Sequence, residues 1–374
     1  MGSPKTALLL GIAVDWPLTA PASRWPEHGY AHLAGAAERF GIRVALFHIA
    51  AVDWRKAAVD GWVRAGRGKW TKQRLPLPHA VYNRISRRRV EASVPGRRAL
   101  WRLSRRVPLF NPRFLNKAEV QAALAASPAS RFLPAAAVAA GAGAIARAVD
   151  QFGAAYVKPV NGSLGRGILR AERAGRHYRI VHNPRRGFSS PLVRARVSRS
   201  QLNALFQNLY RDEPVLVQEA VGALRVHGRP ADIRALVQKD PGGAWRLTGA
   251  AGRVAAPGGV TTHTVRGGQA VPYGRLAEEA GGALPGLDVL ERAAVDAARA
   301  VEQAFGDGFF ELSLDMAVRE DGTPAILEVN AKPFPFDEPA IRRLAAERLF
   351  LYARARAAAG VLPQPSGTDL VSPQ

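Results

Sequence analysis

The sequence predicts an α/β protein in three parts. A small parallel α/β unit comes first, then a central α+β lid around a glycine-rich loop, then a C-terminal α+β part built on a carboxylate-bearing hairpin. Three observations predict this. Strand and helix patterns alternate between Ala7 and Ile85. The stretch Tyr156 to Arg170 reads as strand, glycine loop, strand. Two late strand patterns, Phe309 to Val318 and Ala325 to Val329, turn at Glu320-Asp321-Gly322-Thr323 and set Asp315 against Glu328. The parts are expected at residues 1–112, 113–222 and 223–360, with 361–374 a disordered tail.

Taken in order, Ala7 to Val14 is a short apolar run ended by Asp15. No basic segment and small-residue cleavage site frame it, so a buried strand is expected and not a signal peptide. Residues 29–40 hold apolar side chains at helical spacing, with Gly41 just past the end. Ile42 to Ile49 and Ala80 to Ile85 supply further strands. Gly61, Gly66 and Gly68 make Trp54 to Leu77 a hairpin or surface excursion. Asn116 and Glu119 fit a capping box opening a helix that ends near Ala126. An alanine-rich helix covers Ala142 to Phe152, and His177 to His182 adds an antiparallel strand. Ser198 to Tyr210 is amphipathic, with Leu202, Leu205, Phe206 and Leu209 on one face. Pro214 to Val221 is a buried strand. Asp232 to Lys239 and Trp245 to Ala251 form a hairpin around Asp240-Pro241-Gly242-Gly243. Pro257 to Gly268 is irregular. Leu287 to Phe305 and Pro339 to Ala359 are helices, the last ended by Gly360.

Composition narrows the function. The 374 residues exceed one ordinary core, and 47% hydrophobic with 22% charged residues is a globular composition. The absence of cysteine excludes disulfides, thiolate metal sites and cysteine catalysis. No apolar run reaches membrane-spanning length, so the cytoplasm is the expected compartment and no membrane partner is expected. The formal net charge is +23, and only 8 of the 53 basic residues are lysine. Arginine and alanine excess with scarce lysine is what a high-GC genome produces, yet the field still favours polyanions. It is densest from Arg84 to Arg113. Two readings stand: a solvated helix and loop face, or a docking surface for nucleic acid or another polyanion.

The chemistry sits in two constellations. The first is Lys158-Pro159 followed by Gly162, Ser163, Gly165, Arg166 and Gly167. Little side-chain bulk lets the loop's backbone N–H groups approach an anion, and Lys158 adds a point charge to it. The loop leads into a strand and not a helix, which counts against Rossmann and Walker A readings. Ser163 reads as a phosphate donor before a nucleophile, because no histidine–acid pairing is suggested nearby. The second is Asp315 opposed to Glu328, with Asn330 two residues on and therefore on the same face. Two close carboxylates repel and call for a cation, and oxygen-only ligands suit Mg²⁺ (or Mn²⁺) carried on substrate phosphates. The plainer reading is a pair of solvent-facing strand carboxylates.

Five features occur in order: Asn116-Lys117; Lys158-Pro159 with its glycine loop; Gln218-Glu219; Asp232-Ile233-Arg234; and Asp315 with Glu328-Val329-Asn330. This order resembles the ATP-grasp superfamily. The phrases Val81-Tyr82-Asn83-Arg84-Ile85, Leu109-Phe110-Asn111 and Asn330-Ala331-Lys332-Pro333 are similar to its YheC/YheD branch, described as endospore coat-associated. The resemblance implies an ATP-grasp fold behind a small N-terminal domain, with ATP and a divalent metal between the last two parts. It implies that Lys117 and Lys158 are nucleotide lysines and that Gly162 to Gly167 closes over the phosphates. Gln218, Glu219, Ala220 and Val221 resemble the hinge that reads adenine, and Asp232 resembles the acidic residue at the ribose end. Arg253 resembles the arginine set against the transferred phosphate, with Arg234 and Arg266 as further catalytic arginines. Asp315, Glu328 and Asn330 resemble the metal ligands. The implied activity is a carboxylate–amine or carboxylate–thiol ligase working through an acyl phosphate. The implied place is the cytoplasm, in a sporulating cell the mother-cell cytoplasm or spore coat.

One departure stands out. Thr261 and His263 occupy the positions where related ligases carry arginine and asparagine before a Gly-Gly pair, here Gly267-Gly268. Arg266 is the candidate substitute. A spore-coat or assembly protein that keeps its nucleotide site without turnover, and a polyanion-binding module, are the rival functions. Lys332 is expected either to meet an acyl or phosphate group or to pair with Asp337 or Glu338.

Overall fold

The computed structural model describes residues 7–16, 27–64, 69–162, 165–184, 192–211, 213–222, 224–259, 261–262, 264, 267–281 and 284–360. Ser163, His263, Arg266 and the tail 361–374 lie outside the described residues.

The N-terminal sheet holds β1 (Leu8–Val14), β2 (Ile42–Asp53), β3 (Ala58–Val63), β4 (Thr71–Pro76), β5 (Ala80–Asn83) and β6 (Leu109–Phe110), with α1 (Glu27–Ala37), α2 (Arg88–Glu91) and α3 (Val94–Ser104). Its order is β4-β3-β2-β1-β5-β6. The strands β2, β1, β5 and β6 run parallel, and the stretch after Trp54 is an antiparallel hairpin that widens the sheet. Strand β1 is apolar along its whole length because both faces are covered. Leu10, Ile12 and Val14 pack with Ala34 and Ala37, while Leu9 and Ala13 pack with Leu100 and Leu103 of α3. Gly11 has no room for a side chain, since a Cβ there would lie 2.5 Å from Pro78 Cγ.

The central sheet holds β7 (Ala136–Ala139), β8 (Ala154–Pro159), β9 (Leu169–Ala174), β10 (His177–His182), β11 (Val193–Ser198) and β12 (Val215–Glu219). It is antiparallel in the order β11-β10-β9-β8-β12-β7. α4 (Lys117–Ala125) precedes it, and α5 (Ala142–Phe152) and α6 (Arg199–Tyr210) cover one face through Ile145, Val149, Leu202 and Phe206. The capping box falls on α6, where Ser198 and Gln201 exchange bonds. At α4 only the Asn116 half of the expected box is seen: Asn116 Oδ1 accepts from Ala118 and Glu119, and the Glu119 carboxylate lies 3.6 Å from Arg113. The reciprocal carboxylate is drawn to a nearby cation. Strand β7 is short and alanine-rich, and its pairing with β12 supplies what propensity does not.

The C-terminal sheet holds β13 (Arg225–Val226), β14 (Arg229–Lys239), β15 (Trp245–Val254), β16 (Gln269–Pro272), β17 (Glu311–Val318) and β18 (Pro324–Asn330). Its order is β16-β15-β14-β17-β18, with β13 on β14. The helices are α7 (Tyr273–Glu279), α8 (Leu287–Phe305) and α9 (Pro339–Ala359). Leu290, Ala297 and Val301 of α8 fill one face. Leu115, Val120, Leu124 and Phe132, grouped with the lid by the sequence, pack in this core because α4 lies against α8.

The three parts are stitched together. Helix α9 crosses to the N-terminal sheet, where Tyr352 meets Phe110 and Phe310 with ring centroids 5.1 and 5.0 Å away. Asn111, at φ 54°, donates to Glu311 O at 2.7 Å and to Ala331 O, and its Oδ1 accepts from Phe310 N at 3.1 Å. Buried Glu311 accepts from the Tyr82 hydroxyl and from Gln238 Nε2 at 3.0 Å, with Arg84 3.5 Å away. Among the described residues no helix is long and apolar enough to cross a membrane.

Candidate active site

Alternation along β14 and β17 builds the site. Ile233, Ala235 and Val237, like Leu312, Leu314 and Met316, turn into the core beneath α8. Period two then places Asp232, Arg234, Ser313 and Asp315 on the other face. Register does the rest. Arg234 pairs with Asp315, Asp315 with Glu328, Ser313 with Asn330, and Asp232 with Arg253. The opposition of Asp315 and Glu328 expected from their spacing is therefore direct.

The carboxylates do not face each other unpaired. Arg253 bridges Asp232 and Asp315, with Nε 3.0 Å from Asp232 Oδ1 and Nη2 2.8 Å from Asp315 Oδ1. Burial pulls Arg253's pKa down, but the two carboxylates outweigh it and hold it above its ordinary value. Thr262, which the sequence did not single out, donates its hydroxyl to Asp232. Glu328 takes Lys117, at 2.7 Å. Arg234 donates to Phe334 O at 2.9 Å and stacks over Phe336, and burial holds its pKa below the ordinary value.

Lys117 opens α4, where the helix dipole disfavours a cation. Its partners explain the position: Nζ donates to Glu328 and, at 2.8 Å, to Gly162 O at the start of the glycine loop. Lys158 is the penultimate residue of β8, the strand beside β12. Its Nζ donates to Gln218 Oε1 at 2.5 Å and reaches Leu327 O at 3.4 Å. Burial lowers its pKa to about 8, against the raising pull of Glu328. Gln218 Nε2 is buried with no hydrogen-bond partner in the structure.

The loop is anchored by residues the sequence did not mark. Gly165 and Gly167 sit at φ 67° and 69°, the left-handed region that favours glycine. Asn183 Nδ2 donates to Gly165 O at 2.7 Å, Gly167 N donates to Asn183 O, and the Tyr210 hydroxyl donates to Gly167 O at 2.9 Å. Arg166 is exposed. At the end of β12 and just past it, Glu219 and Ala220 donate their N–H groups to Ala135 and Ala154, and Val221 N closes a tight turn onto Glu219 O. Beside it, Leu124, Leu133, Leu216 and Ile326 line a narrow cleft together with Lys117 and Glu328.

A family model described as YheC/D-like ATP-grasp matches residues 106–355. The chain belongs to that family. The endospore coat-associated protein YheD of Bacillus subtilis is 26% identical over 300 residues, which is 79% of this chain and 65% of that protein. The chain thus aligns with slightly less than two thirds of this relative's length. Among solved structures, D-alanyl-alanine synthetase A from Vibrio cholerae superposes with a TM-score of 0.55 at 10% identity, covering 95% of this chain and 99% of that one. The D-cycloserine synthetase DcsG gives 0.52 at 18%, covering 92% and 99%. Identities this low speak for the fold. An ATP-grasp fold implies ATP and a divalent metal, and the residues of this YheC/D-like site fit both. Asp315, Glu328 and Asn330 offer oxygen donors alone, which suits a hard cation. Lys117, Lys158 and Arg253 supply cations, and the unpartnered Gln218 Nε2 is a further donor beside them.

One expectation is corrected. Lys332 pairs with neither Asp337 nor Glu338. It donates to Glu91 and to Ile85 O at 3.3 Å, over the Phe114 ring, and burial lowers its pKa to about 8. Glu91, at the end of α2, lies far away in sequence, so spacing could not have named it.

Proposed function

We propose that the protein is an ATP-dependent ligase joining a carboxylate to an amine, or to a thiol, through an acyl phosphate. The observation that carries the reading is the charge cluster Lys117–Glu328 and Asp315–Arg253–Asp232, in which carboxylates and Arg253 of the C-terminal sheet meet Lys117 of α4, with buried Lys158 of β8 reaching Leu327 O of the same sheet, next to the glycine loop. Phosphoryl transfer needs positioning and charge neutralisation more than covalent help, and this cluster offers both.

Lys117 and Lys158 hold the phosphates, with the Gly162–Gly167 loop over them. The Gln218–Val221 segment and the adjacent apolar cleft take the adenine, with Asp232 toward the ribose end. Asp315, Glu328 and Asn330 would hold Mg²⁺ or Mn²⁺, which screens phosphate charge when bound. A substrate carboxylate oxygen attacks the γ-phosphorus, the bond to the β-phosphate oxygen breaks, and ADP leaves. Arg253, kept in place by Asp232, faces the charge that develops on the phosphoryl group, with Arg234 and Arg266 as further cations. The amine or thiol then attacks the acyl carbon and gives up its proton, and inorganic phosphate leaves. The test is ADP release from ATP on incubation with paired carboxylates and amines. A full panel that gives no substrate-dependent ADP, from a protein shown to bind ADP, rejects the ligase reading.

A second reading has its own observation. Asp315 and Glu328 are each neutralised by a protein cation, and Thr261 and His263 replace the expected arginine and asparagine. A spore-coat or assembly role that keeps the nucleotide for structure fits this, in line with the name of the B. subtilis relative. That reading places the protein in the mother-cell cytoplasm or on the spore coat. Nucleotide binding without turnover, and unchanged function after Glu328→Ala, support it over the ligase.

A further inference from the structure

Helix α3 buries Leu100 and Leu103 and turns an arginine face outward. Arg97, Arg98 and Arg105 are exposed. Arg102 and Arg106 lay their guanidinium groups over the Trp54 ring at 5.5 and 5.4 Å, and Arg105 does the same at Trp101, 5.4 Å away. The sequence holds no aspartate or glutamate between Glu91 and Glu119, and Glu91 is buried against Lys332. The arginine excess of the whole chain does not explain the lack of acidic residues in this stretch of sequence.

The helix ahead of it, α2, reaches the segment that leads into Lys117. Arg88, on the short helix before α3, donates to Leu115 O at 2.7 Å, just ahead of Lys117, and its buried Nε has no hydrogen-bond partner in the structure. Burial lowers the pKa of Arg88, and the charges of Glu91 and Glu328 are close enough to oppose that.

Spacing and stacking select the ligand. Arg98 and Arg102 lie one turn apart on α3, about 6 Å along its axis, and Arg106 follows just past its end. An extended polypeptide presents same-side side chains about every 6.6 Å. The rings on which a nucleic-acid base would stack already carry guanidinium groups, which takes away the aromatic platform that single strands use. We propose that the arginine face of α3 docks an acidic polypeptide and that its reacting carboxyl group passes Arg88 on the way to Lys117 and Glu328. This rests on the ligase reading for the role of the bound chain, though the docking itself does not need turnover.

The test titrates fluorescein-labelled poly-L-glutamate against the full chain by anisotropy, at about 50 and about 200 mM salt, the range over which charge-driven contacts weaken strongly. Arg97→Gln, Arg98→Gln and Arg105→Gln together are expected to weaken binding about tenfold, from three exposed ion pairs. The same three changed to Lys should keep most of it. Poly-glutamate should also shift tryptophan emission, and the shift should shrink in Trp54→Phe. ADP affinity serves as the control and should not move in the triple variant. Unchanged poly-glutamate binding in the triple glutamine variant overturns the docking face. So does an oligonucleotide that binds more tightly through the same arginines. A parent protein that fails to bind ADP while holding poly-glutamate counts against the ligase reading and leaves the docking face standing.

Discussion

Raising the pH is the sharpest probe of Lys158. Its ammonium is buried, and burial brings its pKa to about 8 in the ligand-free protein. Phosphates beside it would restore a value near about 10.4, the ordinary lysine range. The sign follows directly. Binding favours the protonated form, so nucleotide takes up a proton wherever the free protein has lost it. At pH 7 the uptake is only about 0.1 proton, and at pH 9 it is about 0.9. The ADP dissociation constant should rise about tenfold between these two pH values, roughly 1.4 kcal/mol. Calorimetry in two buffers of different ionisation enthalpy reads both the proton count and the affinity. Lys158→Met supplies the control. In the free protein at neutral pH the lowered pKa marks a destabilising charge of about 3 kcal/mol, lost as pH rises toward the unfolded value. Removing its hydrogen bond to Gln218 costs about 1 kcal/mol, so the variant should be about 2 kcal/mol more stable while binding ADP at least tenfold more weakly. A flat affinity from pH 7 to 9 with no buffer-dependent enthalpy would refute the assignment. So would a Lys158→Met protein that is less stable than its parent.

Further outcomes follow from other contacts. Glu328→Gln removes the carboxylate partner of Lys117 and one proposed metal ligand, so Mg²⁺ should no longer strengthen ADP binding, a comparison made by titrating with and without the metal. Asn111→Ala strips a buried side chain that holds four main-chain groups of the C-terminal part; urea denaturation should show a loss of about 2–4 kcal/mol. Gly167→Ala forces a side chain into φ 69° and should cost about 1–2 kcal/mol locally, read as faster proteolysis of the glycine loop with the rest of the chain intact.

The elements were largely legible because their causes are local. Strand β1 shows as an apolar run, α5 and α8 as helical spacing, and Gly41 and Gly360 as left-handed ends at φ 62° and 59°. The pairing of Asp315 with Glu328 followed from a short turn and a period of two. What escaped the sequence depends on distant partners. β7 forms because β12 accepts it, Asn183 and Tyr210 matter because the glycine loop folds back onto them, and Lys332 finds Glu91 across the junction.

Sequence alone thus determined the alternation that puts Asp232, Arg234 and Asp315 on one face, and the order of motifs that marks an ATP-grasp chain. Tertiary structure decided how those charges are settled. Two carboxylates that spacing leaves facing each other are each given a cation, Arg253 from the neighbouring hairpin strand and Lys117 from the start of α4. The reason is the cost of burying charge. A buried carboxylate takes the nearest available cation, and which cation is near depends on the packing of distant segments, which local spacing does not encode.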